Sequence, residues 1–271
     1  MPELPEVETV VRGLRQPLIG RTVRGMWYDW ARTIQSPDPQ QFADRIVGQT
    51  FRAVDRRAKY ILCQLDHDLL VVHLKMTGRL YVVPDDSVSD ADRWLHFYLQ
   101  LDNGTQLRFS DSRKFGKVSL TPTFDQIAPT LGPEPLGDQF TPEILSERLR
   151  GHAKSIKALL LDQAFLAGVG NIYADEALWR AGISPLRPAN RLTDAEIHAL
   201  YDAIRAALSA GIDQEGASVN WYRKPDGTPG DAQNHLYVYG REDEPCERCG
   251  SMIVKIRVAQ RGTHYCPSCQ Q

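Results

Sequence analysis

The sequence predicts a multidomain α+β protein in three parts: a β-sandwich behind one helix, a helical middle and a small cysteine module. Three observations predict it. Apolar residues lie at helical spacing in residues 5–18, give way to short β-rich runs from about 20 to 122, and return to helical spacing from 141. Prolines and glycines crowd residues 123–140. Four of the five cysteines fall after residue 245.

Each element has its own signal. Val7, Val10, Val11, Leu14 and Leu18 make one apolar helix face, and Pro5 is tolerated in a first turn. Short runs at residues 60–62, 69–74, 80–83, 95–101 and 118–120 read as strands, with turn signals such as Asp102-Asn103-Gly104 between them. Many short strands suggest a sandwich. Thr141-Pro142 opens a helix, residues 156–163 are apolar-periodic, residues 172–180 resume as helix, and Thr193 with Glu196 forms a capping box for a helix through about 210. Residues 214–234, rich in Gly, Pro, Asp and Asn, predict a mobile loop. The expected domains are therefore 1–122, a linker at 123–140, a helical domain at 141–235 and a cysteine module at 236–271.

Composition narrows the class. With 271 residues, 42% hydrophobic and 24% charged, the chain is long enough for a sizeable core and too apolar for disorder. No apolar run reaches membrane-span length, and no secretion signal opens the chain, so a cytosolic protein is expected. In that reducing compartment four paired cysteines point to metal rather than disulfides. Cys63, within Tyr60-Ile61-Leu62-Cys63, reads as a small buried hydrophobe. The net charge is −2, yet the bases cluster. Arg148, Arg150, Lys154 and Lys157 form one acid-free stretch and Lys255, Arg257 and Arg261 another. Basic patches on a near-neutral protein suit a polyanion on one face.

The motifs carry more. Cys246, Cys249, Cys266 and Cys269 follow C-x2-C-x16-C-x2-C, the spacing of a four-thiolate zinc site. A site with every position taken by cysteine is structural, and the intervening residues fit a hairpin presenting Lys255, Arg257 and Arg261. Pro2 is followed at once by Glu3 and Glu6. If Met1 is removed, Pro2 becomes a free secondary amine able to attack carbon and form an iminium. Val169-Gly170-Asn171 joins two helices with little bulk, so a phosphate can approach its amides. Asp111 to Gly116 sets an aromatic beside two cations, and His73 to Gly78 holds a methionine in a turn. Singly, Met76 or Phe115 would read as core, and glycines between helices as a simple turn.

Together these segments resemble the bacterial formamidopyrimidine-DNA glycosylases, which excise oxidised purines. The matching pieces are residues 1–9, 56–60, 73–78, 111–116, 131–136, 168–174, 238–241 and the cysteine tail through Arg261, in order along the whole chain. The sister family that prefers oxidised pyrimidines usually lacks the Leu4-Pro5 pair. The resemblance implies an N-terminal β-sandwich, a central helix–two-turn–helix domain and a C-terminal zinc finger. It also implies a bifunctional glycosylase and AP lyase of base excision repair, acting on double-stranded damaged DNA. Pro2 would attack the sugar C1′ of a flipped nucleotide, and Glu3 would move protons at the sugar. Lys59 would serve the base and the elimination steps, and Arg261 the δ-elimination. Lys157 and Asn171 would clamp phosphate, and His96, Arg113 and His152 fall at DNA-contact positions. Met76, Arg113 and Phe115 match a trio that fills the void left by the flipped base. The loop around Ser218 and Val219 would cap that base. Ser112 and Lys114 depart from the family's more frequent proline and arginine, and the loop from Gly216 to Asp231 has no clear match.

A monomer in the bacterial cytosol or nucleoid, with one structural zinc, completes the expectation. Two other readings are weighed. A non-catalytic binder of damaged DNA leaves Pro2-Glu3 unused. A zinc-ribbon protein of transcription or RNA processing explains only the tail.

Overall fold

The computed structural model describes Met1 to Gln271 and resolves the chain into two compact units. One comprises Met1–Pro129 with Glu215–Asp231, the other Thr130–Gln214 with Ala232–Gln271.

The first unit opens with α1 (Leu4–Leu18), which has proline in its first turn. Its apolar stripe of Val7, Val10, Val11, Leu14 and Leu18 is buried, and each such side chain contributes about 1.5–3 kcal/mol. The stripe joins a core shared by two sheets. The four-stranded sheet runs β1 (Val23–Tyr28), β7 (Leu95–Leu101), β8 (Thr105–Asp111), β6 (Gly78–Pro84). The five-stranded sheet runs β2 (Ile34–Ser36), β9 (Lys117–Thr121), β5 (Leu69–His73), β4 (Tyr60–Gln64), β3 (Ala53–Arg57). A further helix, α2 (Pro39–Ile46), starts at Asp38, whose carboxylate accepts the amides of Gln40 and Gln41. The predicted sandwich is thus present. β1, β2, β3, β8 and α2 carry too little apolar patterning to stand out in the sequence.

Residues 215–231 lie in the first unit, though chain order alone puts them in the helical region. Instead of a mobile loop, this segment is fastened: Tyr222 enters the sandwich core, and the Ala217 amide donates to Glu6 at 2.8 Å. Gly216, at φ +80°, lies so close that a Cβ there would sit 3.0 Å from Glu6 Cγ.

The second unit contains α3 (Pro142–Arg150), α4 (Ile156–Leu160), α5 (Asn171–Ala181) and α6 (Asp194–Asp213). Thr141 caps α3 and Thr193 caps α6 in the predicted box with Glu196. α4 stops short of the expected residue 163. Gln163 there turns the chain, its carbonyl accepting the Gly132 amide at 2.9 Å and its side chain donating to the Val169 carbonyl at 2.8 Å. Gly211 lets α5 and α6 approach, since a Cβ there would lie 2.4 Å from the Tyr173 ring. The tail forms the hairpin β10 (Val254–Val258) and β11 (Arg261–Tyr265). Ala259 and Gln260, both at positive φ, make its two-residue turn.

Candidate active site and nucleic-acid interface

Of the residues predicted to do chemistry, the first unit holds Pro2, Glu3 and Lys59. Pro2 directly precedes Glu3, the N-cap of α1, and Glu3 and Glu6 are buried. The Glu6 carboxylate is a clasp, Oε2 accepting the Glu3 amide at 2.7 Å and Oε1 the Ala217 amide at 2.8 Å. One side chain therefore fixes both the start of α1 and the loop expected to cap a flipped base. Side chains of that loop, Asn220, Trp221 and Arg223, line a cavity of about 230 Å³ with Thr77, Arg79 and Trp94.

Lys59 is buried at the tip of the β3–β4 hairpin, where Arg57 pairs with Tyr60. The tip needs Ala58 at φ +53°, a strained conformation for a residue with a Cβ. His73 ends the neighbouring strand and lies edge-on to Tyr60, with ring centroids 4.5 Å apart. Burial, then the charges of Lys75 and Lys59, push the His73 imidazole down to about 3. It is neutral near pH 7, and its Nδ1 accepts the Lys75 amide at 2.9 Å.

The trio expected to fill the void is gathered by a residue that sequence reasoning did not single out. Asp111 is buried at the end of β8. Its carboxylate accepts from the Thr77 hydroxyl, from the Arg113 amide at 3.1 Å, and from the Phe115 and Gly116 amides at 2.8 and 2.7 Å. Thr77 follows Met76, so one carboxylate ties the Met76 turn to the loop bearing Arg113 and Phe115. Gly116 is required there, because a Cβ would lie 2.3 Å from Phe109. The Arg113 guanidinium lies over the Phe115 ring, 4.7 Å from its centroid. His96 falls where the β7–β8 register shifts, and such a bulge re-aims a side chain. Its Nδ1 meets Asp29 at 2.7 Å, and its Nε2 is buried without a partner. Cys63 is fully buried, and burial pushes its thiol up to about 12, as expected of an inert residue.

The second unit holds the expected phosphate clamp. Lys157 is fully buried, paired with Asp175 and donating to the Asn171 carbonyl at 3.1 Å. Asn171 begins α5, and its Nδ2 donates to the Gly262 carbonyl at 2.9 Å while its Oδ1 is buried without a partner. Asp175 also accepts the His264 amide at 3.0 Å. The hairpin carrying Arg261 is thus fastened to α5 at two points, and Arg261 stays exposed beside its turn. Neighbouring Glu176 accepts the amides of Tyr237, Val238 and Tyr239 at 2.9–3.0 Å. The one sequence signal for this pair is two adjacent acids inside the apolar run 172–178. His152 lies past the end of α3, edge-on to Phe165 at 5.9 Å.

The cysteine sulfurs lie within 4.8 Å of one another. A tetrahedral site with Zn–S near 2.3 Å needs sulfurs roughly 3.8 Å apart. Cys246–Cys269 and Cys249–Cys266 stand at 4.0 and 3.5 Å. The four thiolates hold one structural zinc, braced by the Trp179 indole N–H on Cys246 Sγ at 3.3 Å.

A sandwich bearing a buried amino-terminal Pro-Glu pair, a helical unit with a capped cation and a four-cysteine finger define a class of multidomain, zinc-fingered enzymes suited to a polyanionic substrate. Comparison with known proteins gives the particular family. Residues 1–118 match the formamidopyrimidine-DNA glycosylase N-terminal domain, 131–222 its H2TH domain, and 243–271 the zinc finger found in FPG and IleRS. The chain is 50% identical to the formamidopyrimidine-DNA glycosylase of Herpetosiphon aurantiacus over the full length of both, and 48% identical to that of a Roseiflexus species, again over both full lengths. Among solved structures it resembles a Lactococcus lactis FPG point mutant in complex with Fapy-dG containing DNA, with TM-score 0.92, 38% identity and full coverage of both chains. It likewise resembles MutM in complex with carbocyclic 8-oxo-G containing DNA, with TM-score 0.91 and 38% identity over both chains. The chain belongs to the formamidopyrimidine-DNA glycosylase family.

Proposed function

We propose that this chain is a bifunctional DNA glycosylase and AP lyase that removes oxidised purines, formamidopyrimidines and 8-oxoguanine, from duplex DNA in the bacterial cytosol. The observation that carries the reading is the Pro2-Glu3 pair at the buried head of α1, held by the same Glu6 that holds the capping loop. No helix is long and apolar enough to cross a membrane.

In this reading the freed Pro2 nitrogen attacks C1′ of the flipped nucleotide, the C1′–N bond breaks, and the base leaves with a proton. Glu3, beside the nucleophile, serves proton transfer at the opening sugar. The nitrogen lone pair then expels the ring oxygen O4′, which takes up a proton, and the resulting iminium acidifies the C2′ proton. Loss of that proton expels the 3′ phosphate, and a second elimination expels the 5′ phosphate, with Lys59 and Arg261 carrying protons and gripping phosphate. Asn171, at the amino end of α5, meets the backbone, and buried Lys157 adds its charge behind it. His96, Arg113 and His152 contact DNA, and Met76, Arg113 and Phe115 occupy the vacated stack. The zinc braces the hairpin that presents Arg261 and takes no step in the reaction.

Borohydride trapping tests this on a duplex with one 8-oxoguanine opposite cytosine, using protein whose Met1 loss is verified by mass. An adduct mapping to Pro2 is expected. Pro2→Gly should lower base excision by about 10²-fold or more while DNA affinity stays near that of the parent. Equal excision by both proteins would remove Pro2 from the mechanism.

A further inference from the structure

Two cations of the first unit lie over one indole, and two more adjoin them. The Lys114 ammonium lies 4.7 Å from the Trp30 ring centroid, and the Arg32 guanidinium lies 5.6 Å from it. Lys117 Nζ donates to the Arg32 carbonyl at 2.5 Å. Arg113 rests on Phe115 next door. None of the four pairs with a carboxylate, although most other cations of this unit do. Two nearby acids are already engaged, Asp29 by His96 and Asp111 by the Thr77 hydroxyl and three amides.

The segment Asp29–Thr33 is therefore a brace between His96, an expected DNA contact, and Lys114. Asp29 grips His96 at one end, and Trp30 seats Lys114 at the other. Lys114 stands at φ +57°, where glycine or asparagine fits more easily. The ring beneath its ammonium gives the lysine a use for that strained position. Cations seated on rings, with no acid to neutralise them, present charge to an external polyanion.

We propose that Arg32 and Lys114, seated on Trp30, together with Lys117, tied to the Arg32 carbonyl, form a platform that holds the phosphate backbone of the strand opposite the damaged nucleotide. This rests on the glycosylase reading. There, Lys59, Asn171 and Arg261 grip the damaged strand, and Arg113 and Phe115 fill the gap the flipped base leaves. The cations just past that wedge are then left for the unflipped strand. Trp30 is a positioning residue that keeps the Lys114 charge at the wedge.

The test is equilibrium binding to a duplex bearing a tetrahydrofuran abasic analogue. Each phosphate contact contributes about 0.9 to the slope of log K against log salt. Arg32→Gln with Lys114→Gln should make the slope shallower by about 1.8. Methylphosphonate linkages flanking the orphan base in the opposite strand should weaken the parent and leave the double variant nearly unaffected, whereas the same linkages in the damaged strand should weaken both equally. Trp30→Leu should reproduce part of the slope loss, and Trp30→Phe should restore it. Arg32 and Lys114 are exposed, and melting curves separate misfolding from lost contact. An unchanged slope, or sensitivity that follows the damaged strand, overturns the platform. Failure of the glycosylase reading shows separately, as an absent Pro2 adduct.

Discussion

Two exposed cations of the first unit and one buried cation of the second are held in opposite ways. In the first, Arg113 lies over Phe115 and Lys114 over Trp30, exposed and without acids. In the second, Lys157 is fully buried against Asp175. An exposed cation on an aromatic ring keeps most of its hydration and stays available to a partner. A buried cation must be paired, because an unpaired charge in the interior costs several kcal/mol. The first arrangement offers charge, whereas the second uses charge to fix geometry. In the second unit the same carboxylate holds Lys157 and the hairpin strand at His264, so its pairing positions the arm that carries Arg261.

The sharpest way to break this contrast is to remove the pairing acid. Asp175→Ala strands the buried ammonium and should destabilise the second unit by about 3–5 kcal/mol, read from denaturant midpoints. Adding Lys157→Met should recover much of that loss, because the pair is then absent rather than broken. A loss under about 1 kcal/mol for Asp175→Ala would mean that water reaches Lys157 and that the contrast is false. The first unit has its own buried clasp, and the predicted effect is smaller because the two donors it holds are backbone amides. Glu6→Gln keeps one acceptor oxygen where two amides need one each, so it should cost about 1–3 kcal/mol. Hydrogen exchange at Ala217 should accelerate while the strand amides of β5 stay protected. Unchanged exchange at Ala217 would detach Glu6 from the loop.

What the sequence disclosed follows the same division. The four cysteines, the Pro2-Glu3 start and the capped helices α3 and α6 were legible because each rests on local spacing, which the fold need only preserve. β1 and β3, whose outward faces are mixed, were not, since pairing with distant strands rather than their own pattern makes them strands. The acids that organise the site were hidden for a different reason. Asp111, Asp175 and Glu6 act on donors 18 to 211 residues away, or on tight turns beside them. A buried carboxylate and a solvated one look alike in a chain until the donors it meets are known. The loop 215–231 was read as mobile on composition, because its fastening lies on Glu6 rather than within itself.

The mildest prediction tests whether the first unit tolerates charge at its buried positions as well as on its surface. His73 lies beside Lys75 and Lys59, and its imidazole is pushed from an ordinary value near 6.5 to about 3, chiefly by burial. A histidine depressed in the folded state is neutral there while its unfolded form takes a proton. Below pH 6.5 the unfolded state then binds more protons, so stability should fall as pH drops from about 6.5 toward about 3, and should be insensitive to this group above that window. His73→Gln should flatten the acid limb by up to one proton, measured as the slope of unfolding free energy against pH. A variant whose acid limb matches the parent would show that His73 charges without penalty beside two lysines. The first unit would then carry charge at buried His73 as well as at buried Lys59, and exposure alone would distinguish its ring-seated cations.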